Sequence, residues 1–77
     1  MSYELNKPEK VALHILGVAG YDGLSPLLVE LVFGKEFLTY FSTLVKKDLV
    51  NFEERQINGL KIRIYVINDE GRKTLRN

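Results

Sequence analysis

The chain has no cysteine, which removes both a disulfide framework and any thiolate metal site. Its one histidine, His14, stands without the carboxylate spacing that zinc would need, so it is expected to be a half-exposed polar residue and no metal is expected. No apolar run approaches the ~18 residues needed to span a bilayer. Met1 to Asn6 lack the basic and apolar regions of a secretory signal, so a cytoplasmic protein with no membrane contact is the default expectation. Charge of one sign is also lacking. The net charge is +1, which by itself argues neither for nor against a polyanionic partner. Finally, no nucleophile with a base and no phosphate loop can be found. The carboxylate pair Glu53-Glu54 lies in an extended run, where neighbours point to opposite faces and cannot share a substrate. Neither an enzyme, a cofactor nor a small-molecule ligand is expected, and 77 residues leave no room for a sensor domain.

What is present is ordinary globular composition, 45% hydrophobic and 27% charged, enough for a single domain over residues 1–77. The charge is unevenly placed. Residues 1–34 carry two bases and four acids, residues 35–77 nine bases and six acids. The positive half holds the run around which the chain is organised, residues 35–50. At helical period, Phe37, Leu38, Phe41, Leu44 and Val45 share one face. The other face collects Lys35, Glu36, Thr39, Tyr40, Thr43, Lys46 and Lys47, hydrogen-bonding groups flanked by positive charge. Such a helix can lie in a nucleic-acid groove, although a merely solvated face reads the same way.

Residues 1–6 read as a frayed or extended arm. A first helix starts at Pro8, capped by Asn6 or Lys7, with Val11, Ala12, Ile15, Leu16 and Ala19 turned inward and Leu13 widening the stripe. It ends near Gly20. Ser25-Pro26 is a second helix start, Ser as N-cap and Pro in the first turn. Its expected buried face is Leu27, Leu28, Leu31 and Val32, with Glu30 outward, and it closes at Phe33-Gly34. A two- to three-residue turn then leads into a third helix, Glu36 to Lys47, a helix-turn-helix pattern. Asp48 takes the position after that helix, where a left-handed conformation is expected.

Extended sequence follows over 50–67, with Asn58-Gly59 as a type I′ turn requiring positive φ at both residues. This register pairs Phe52 with Tyr65, Glu54 with Arg63 and Arg55 with Ile62. Val50, Phe52, Tyr65 and Ile67 would close the core, and Glu54–Arg63 would be a cross-strand ion pair. Ile62, Ile64 and Val66 make the opposite face more apolar than an exposed hairpin needs, so a partner subunit or the N-terminal arm is expected to cover it. Asn68 caps a last short helix, Asp69 to about Arg76, with Leu75 inward.

Two stretches carry a family resemblance. Leu44-Val45-Lys46-Lys47-Asp48-Leu49-Val50 resembles the Leu-x-x-x-Gly-Leu-Val seam of winged-helix transcription regulators. Tyr65-Val66-Ile67-Asn68-Asp69-Glu70-Gly71-Arg72 is similar to the Tyr-x-Leu-Thr-x-x-Gly-Arg segment that follows the wing in those proteins. The likeness covers roughly residues 8–76 and is to small PadR- and MarR-type regulators and to minimal winged-helix proteins of archaea and their viruses. Asp48 departs from the family's Gly and Asn68 from its Thr. The resemblance implies an α+β winged helix-turn-helix: a three-helix core, a two-stranded β-hairpin wing and a short C-terminal helix. It further implies double-stranded DNA as partner and a homodimer as working unit. Helix 36–47 would enter the major groove with hairpin 50–67 on the backbone. By position, Thr39, Tyr40 and Thr43 become candidates for base contacts, with Ser42 less well placed. Lys35, Lys46, Lys47, Arg55, Lys61 and Arg63 become candidates for phosphate contacts. The competing expectation is a winged helix used as a protein-interaction module or assembly adaptor without DNA binding, motivated by the near-neutral charge and the stripe Ile62, Ile64, Val66.

Overall fold

The computed structural model describes residues 4–76. Asn6 starts helix α1 (Lys7–Ala19) through a reciprocal cap: its side chain accepts from the Glu9 N–H at 2.9 Å, and Glu9 accepts from the Asn6 N–H at 3.0 Å. Of the expected arm, residues 4–6 are thus tied to the helix, and residues 1–3 lie outside the described part. The buried stripe of α1 is Ala12, Leu13 and Leu16, with the Glu9 side chain at its head. Val11, expected inside, is exposed, and Leu13 takes its place.

A turn of 3-10 helix (Gly20–Asp22) leads to α2 (Pro26–Phe33), capped by the Ser25 hydroxyl. Here the sequence expectation is overturned. Val29 is the fully buried residue of α2, whereas Leu27, Leu28, Leu31 and Val32 face outward and Glu30 is half-buried. An apolar face normally marks the core. This helix is apolar nearly all round, so periodicity could not say which side the neighbours occupy.

Helix α3 (Glu36–Lys46) buries Phe41 and Leu44. It stops one residue short of expectation, with Lys47 as C-cap, and Asp48 adopts φ 59°, the left-handed conformation read from the sequence. Strands β1 (Val50–Ile57) and β2 (Leu60–Ile67) pair antiparallel in the expected register, with φ of 53° at Asn58 and 81° at Gly59. Helix α4 (Asp69–Arg76) closes the chain. The architecture is α+β: four helices and a two-stranded antiparallel hairpin.

The hairpin base completes the core that three helices leave open. Leu49, Val50, Tyr65 and Ile67 join Ala12, Leu13, Leu16, Val29, Phe41 and Leu44 in one buried cluster. Among the described residues, the segment before α2 packs on the far face of β2. Leu24 pairs with Tyr65 by two backbone hydrogen bonds, of 3.0 and 2.8 Å, and brings Gly23 against Ile64 and Val66. Gly23 is required there: its φ is +64°, and a side chain would meet the Tyr65 carbonyl oxygen and Val66 Cγ2. Of the expected stripe Ile62, Ile64 and Val66, the last two are buried and Ile62 is half-buried.

Asn68 locks the opposite corner. Its amide nitrogen donates to the Asp48 carbonyl at 2.7 Å and to Asn51 Oδ1 at 3.2 Å, while its oxygen caps α4 by accepting from Gly71 N–H at 2.9 Å. Gly71 then packs so tightly that a Cβ would strike the Leu49 carbonyl oxygen. No helix among the described residues is long and apolar enough to cross a membrane.

Opposite signs are expected from two substitutions at this corner. Asp48→Gly relieves a left-handed non-glycine residue and an acid at a helix C-terminus, and should stabilise by roughly 0.5–1 kcal/mol. Gly71→Ala forces α4 off Leu49 and should destabilise by about 1–3 kcal/mol. Urea melts of both variants against wild type check the pair.

Candidate nucleic-acid interface

Helix α3 presents one uninterrupted outward stripe. Lys35, Thr39, Ser42 and Lys46 recur at i, i+4, i+7 and i+11, and all four are exposed, with Glu36 beside them. Short hydroxyl side chains at the centre and an ammonium at each end leave room for a close approach along the helix. Ser42, ranked low from the sequence, lies in this stripe and borders the hairpin. It helps line a cleft of about 250 Å³ with Val45, Lys46, Phe52 and Tyr65. Its signal was available in the heptad-like spacing Lys35-Thr39-Ser42-Lys46.

Two of the three expected base-contact residues stand differently. Thr39 is exposed. Tyr40 is half-buried with its ring edge-on to Phe37, centroids 5.2 Å apart. The Thr43 hydroxyl donates to the Thr39 carbonyl at 3.0 Å, one turn back along its own helix. Both lie on the flank of α3 away from the hairpin.

The expected phosphate-contacting cations divide as well. Lys61 and Arg63 share the hairpin face that carries Phe52 and Tyr65, the face turned to α3. The Arg63 guanidinium sits 5.9 Å from the centre of the Phe52 ring, and among the described residues it makes no ion pair with Glu54 opposite. Its charge thus remains available on an aromatic platform. Arg55 lies on the reverse face and pairs with Glu53 at 3.3 Å. The hairpin tip presents exposed Ile57 and Leu60 around the turn.

Lys47 is engaged elsewhere. Its ammonium lies 2.9 Å from Glu9 Oε2 and 3.4 Å from the Glu4 carbonyl, joining the end of α3 to the start of α1. Glu9 is only 4% exposed. The hydrogen bond from the Asn6 N–H holds its carboxyl below the ordinary value of 4.5; burial opposes this, and the Lys47 hydrogen bond and charge add to the lowering. Lys47 therefore anchors the helix that carries the stripe. Four expected cations, Lys35, Lys46, Lys61 and Arg63, remain exposed on the surface of α3 and the hairpin.

The stripe and the hairpin are held in fixed relation by an aromatic series. Phe33 meets Phe37 at 5.4 Å, Phe37 meets Phe41 at 6.3 Å, Phe41 stacks on Tyr65 at 5.3 Å and Tyr65 meets Phe52 at 4.7 Å. Among the described residues no three His, Asp or Glu side chains converge as a metal-binding group. Comparison with protein-family models, curated proteins and solved structures finds no match.

Because the folded Glu9 carboxyl titrates below its unfolded value, ionised Glu9 stabilises the fold above about pH 4.5, and that contribution is lost as pH falls through its folded pKa. Wild type should lose its stability advantage over Glu9→Gln across that acidic window and keep it at neutral pH. Lys47→Ala should cost about 1–3 kcal/mol, because it leaves a buried carboxylate with one partner fewer, while Lys46→Ala on the open stripe should cost less than about 0.5. Thermal melts over a pH series read both effects.

Proposed function

We propose that this chain is a winged-helix DNA-binding protein, a transcription regulator that works as a homodimer. Helix α3 would lie in the major groove and the hairpin, as the wing, on the backbone. The observation that carries the reading is the shared exposure of the Lys35-Thr39-Ser42-Lys46 stripe and the Lys61-Arg63 face, fixed together by the Phe41–Tyr65–Phe52 stack. Hydroxyl side chains can exchange hydrogen bonds with base edges, and cations at the periphery can neutralise phosphates and set the register. The element order, the left-handed residue after α3 and the Leu24–Tyr65 pairing beside the hairpin also fit a winged helix. Thr39 and Ser42 are the best-placed base-reading residues, ahead of Tyr40 and Thr43. Lys35, Lys46, Lys61 and Arg63 are the best-placed phosphate contacts, ahead of Lys47 and Arg55.

The adaptor reading loses one of its supports, since Ile64 and Val66 are covered from within the chain by the segment at Gly23-Leu24.

A titration of duplex DNA fragments of mixed sequence at two salt concentrations tests the proposal, because phosphate-driven binding weakens steeply with salt. Lys61→Ala and Arg63→Ala should each weaken binding to all sequences and reduce the salt slope by about one unit. Thr39→Ala and Ser42→Ala should change which sequences are preferred while keeping the slope. Absence of binding at low salt, or binding indifferent to salt, would sink the DNA reading.

A further inference from the structure

The cleft between α3 and the hairpin is apolar within a surface that is otherwise cationic and hydroxylated. Val45, Phe52 and Tyr65 wall it, Ser42 and Lys46 complete its lining, and its volume is about 250 Å³. Phe52 is 41% exposed, an aromatic ring that the core does not enclose. We infer that this cleft receives the 5-methyl group of a thymine while the Ser42 hydroxyl donates to the neighbouring O4 of the same base. The inference rests on the DNA reading and adds to it the base that the site prefers.

The chemistry of the walls selects this occupant. Base edges in the major groove present hydrogen-bonding atoms with one apolar projection among them, the thymine methyl. Thymine carries that methyl beside an acceptor oxygen, and the cleft carries its apolar walls beside a hydroxyl donor. Cytosine offers an amino group there and no methyl. Adenine and guanine offer only polar atoms, which carbon walls would strip of water without returning a hydrogen bond. A phosphate is kept from the floor for the same reason.

The surroundings suit a polyanion. Lys46 lines the cleft, the Arg63 guanidinium lies 5.9 Å from the centre of the Phe52 ring, and among the described residues no carboxylate lines it. Its volume falls below the roughly 300–1,000 Å³ of small-molecule sites, which leaves room for one small group and not for a whole ligand. Ser42 also belongs to the exposed stripe Lys35-Thr39-Ser42-Lys46, so a helix laid with that stripe on base edges brings the mouth of the cleft to them as well. The walls are fixed in advance, since Phe52 packs on Tyr65 at 4.7 Å and Tyr65 on Phe41 at 5.3 Å.

Uracil differs from thymine only by the methyl group, so a pair of short duplexes, one of alternating A·T and one of alternating A·U pairs, isolates it. In titrations at low salt, wild type should bind the A·T duplex roughly three- to fivefold more tightly, the worth of one buried methyl group. Val45→Ala thins one wall; it should keep the fold by circular dichroism and bring that ratio close to one. Ser42→Ala should weaken binding to both duplexes, because uracil keeps O4, and leave the salt slope unchanged. Lys46→Ala should weaken both, keep the ratio and reduce the slope by about one unit. Salt-dependent binding of equal strength to the two duplexes overturns the inference and leaves the DNA reading standing. A ratio that survives Val45→Ala, or a Ser42→Ala variant that binds like wild type, overturns it as well. Absence of binding to either duplex at low salt overturns the DNA reading, and the inference with it.

Discussion

Tyr65 is held from three directions at once. Its backbone exchanges two hydrogen bonds with Leu24, and its ring lies between Phe41 of α3 and Phe52 of β1. Each contact ties a different part of the chain to the hairpin base. Leu24 brings in the segment between α1 and α2, Phe41 brings in α3, and Phe52 passes the contact along the strand toward Arg63. Without this seat, the three helices would expose the side of their core that Val50 and Ile67 now fill. A small domain has little apolar surface to spare, so one well-placed aromatic residue carries a disproportionate share of the tertiary specificity.

The same economy explains the division of labour among the charged residues. Lys47 and Glu9 are spent on the join between α1 and α3, where a buried carboxylate is acceptable because the Asn6 N–H and the Lys47 ammonium both reach it. Arg72 pairs with Asp69 and also lies 4.7 Å from the centre of the Tyr21 ring, bracing α4 against the loop before α2. Among the described residues no buried side-chain nitrogen or oxygen lacks a hydrogen-bond partner. The exposed cations of α3 and the hairpin are those that the fold itself does not use. That makes them the reasonable place to seek contacts with an external anion.

Local chemistry made much of the fold legible. The Asn58-Gly59 turn demands positive φ at both positions, and once that is granted every cross-strand pair from Ile57–Leu60 to Val50–Ile67 follows by counting. The caps at Asn6, Ser25 and Asn68 are likewise short-range, as is the left-handed Asp48. The candidate site was less legible. Periodicity separates an inner from an outer face, but a residue at the margin, such as Tyr40 or Ser42, is decided by what stands next to the helix. Tyr40 meets Phe37 on one flank, and Ser42 borders the hairpin on the other. Lys47 shows the same thing for charge, because its partner is 38 positions away and no local pattern announces it.

By itself, then, the sequence determined the four helices and the hairpin, their boundaries to within a residue or two, and the hairpin register, because each of these is set by contacts between near neighbours in the chain. The 3-10 turn Gly20–Asp22 and the Leu24 bridge were not among them. Tertiary structure alone decided which side of α2 is buried, what covers Ile64 and Val66, and which lysine is tied down. Those outcomes depend on segments distant in sequence meeting in space. A helix apolar on every side, like α2, has no preferred direction until α3 and β2 have taken their places against it.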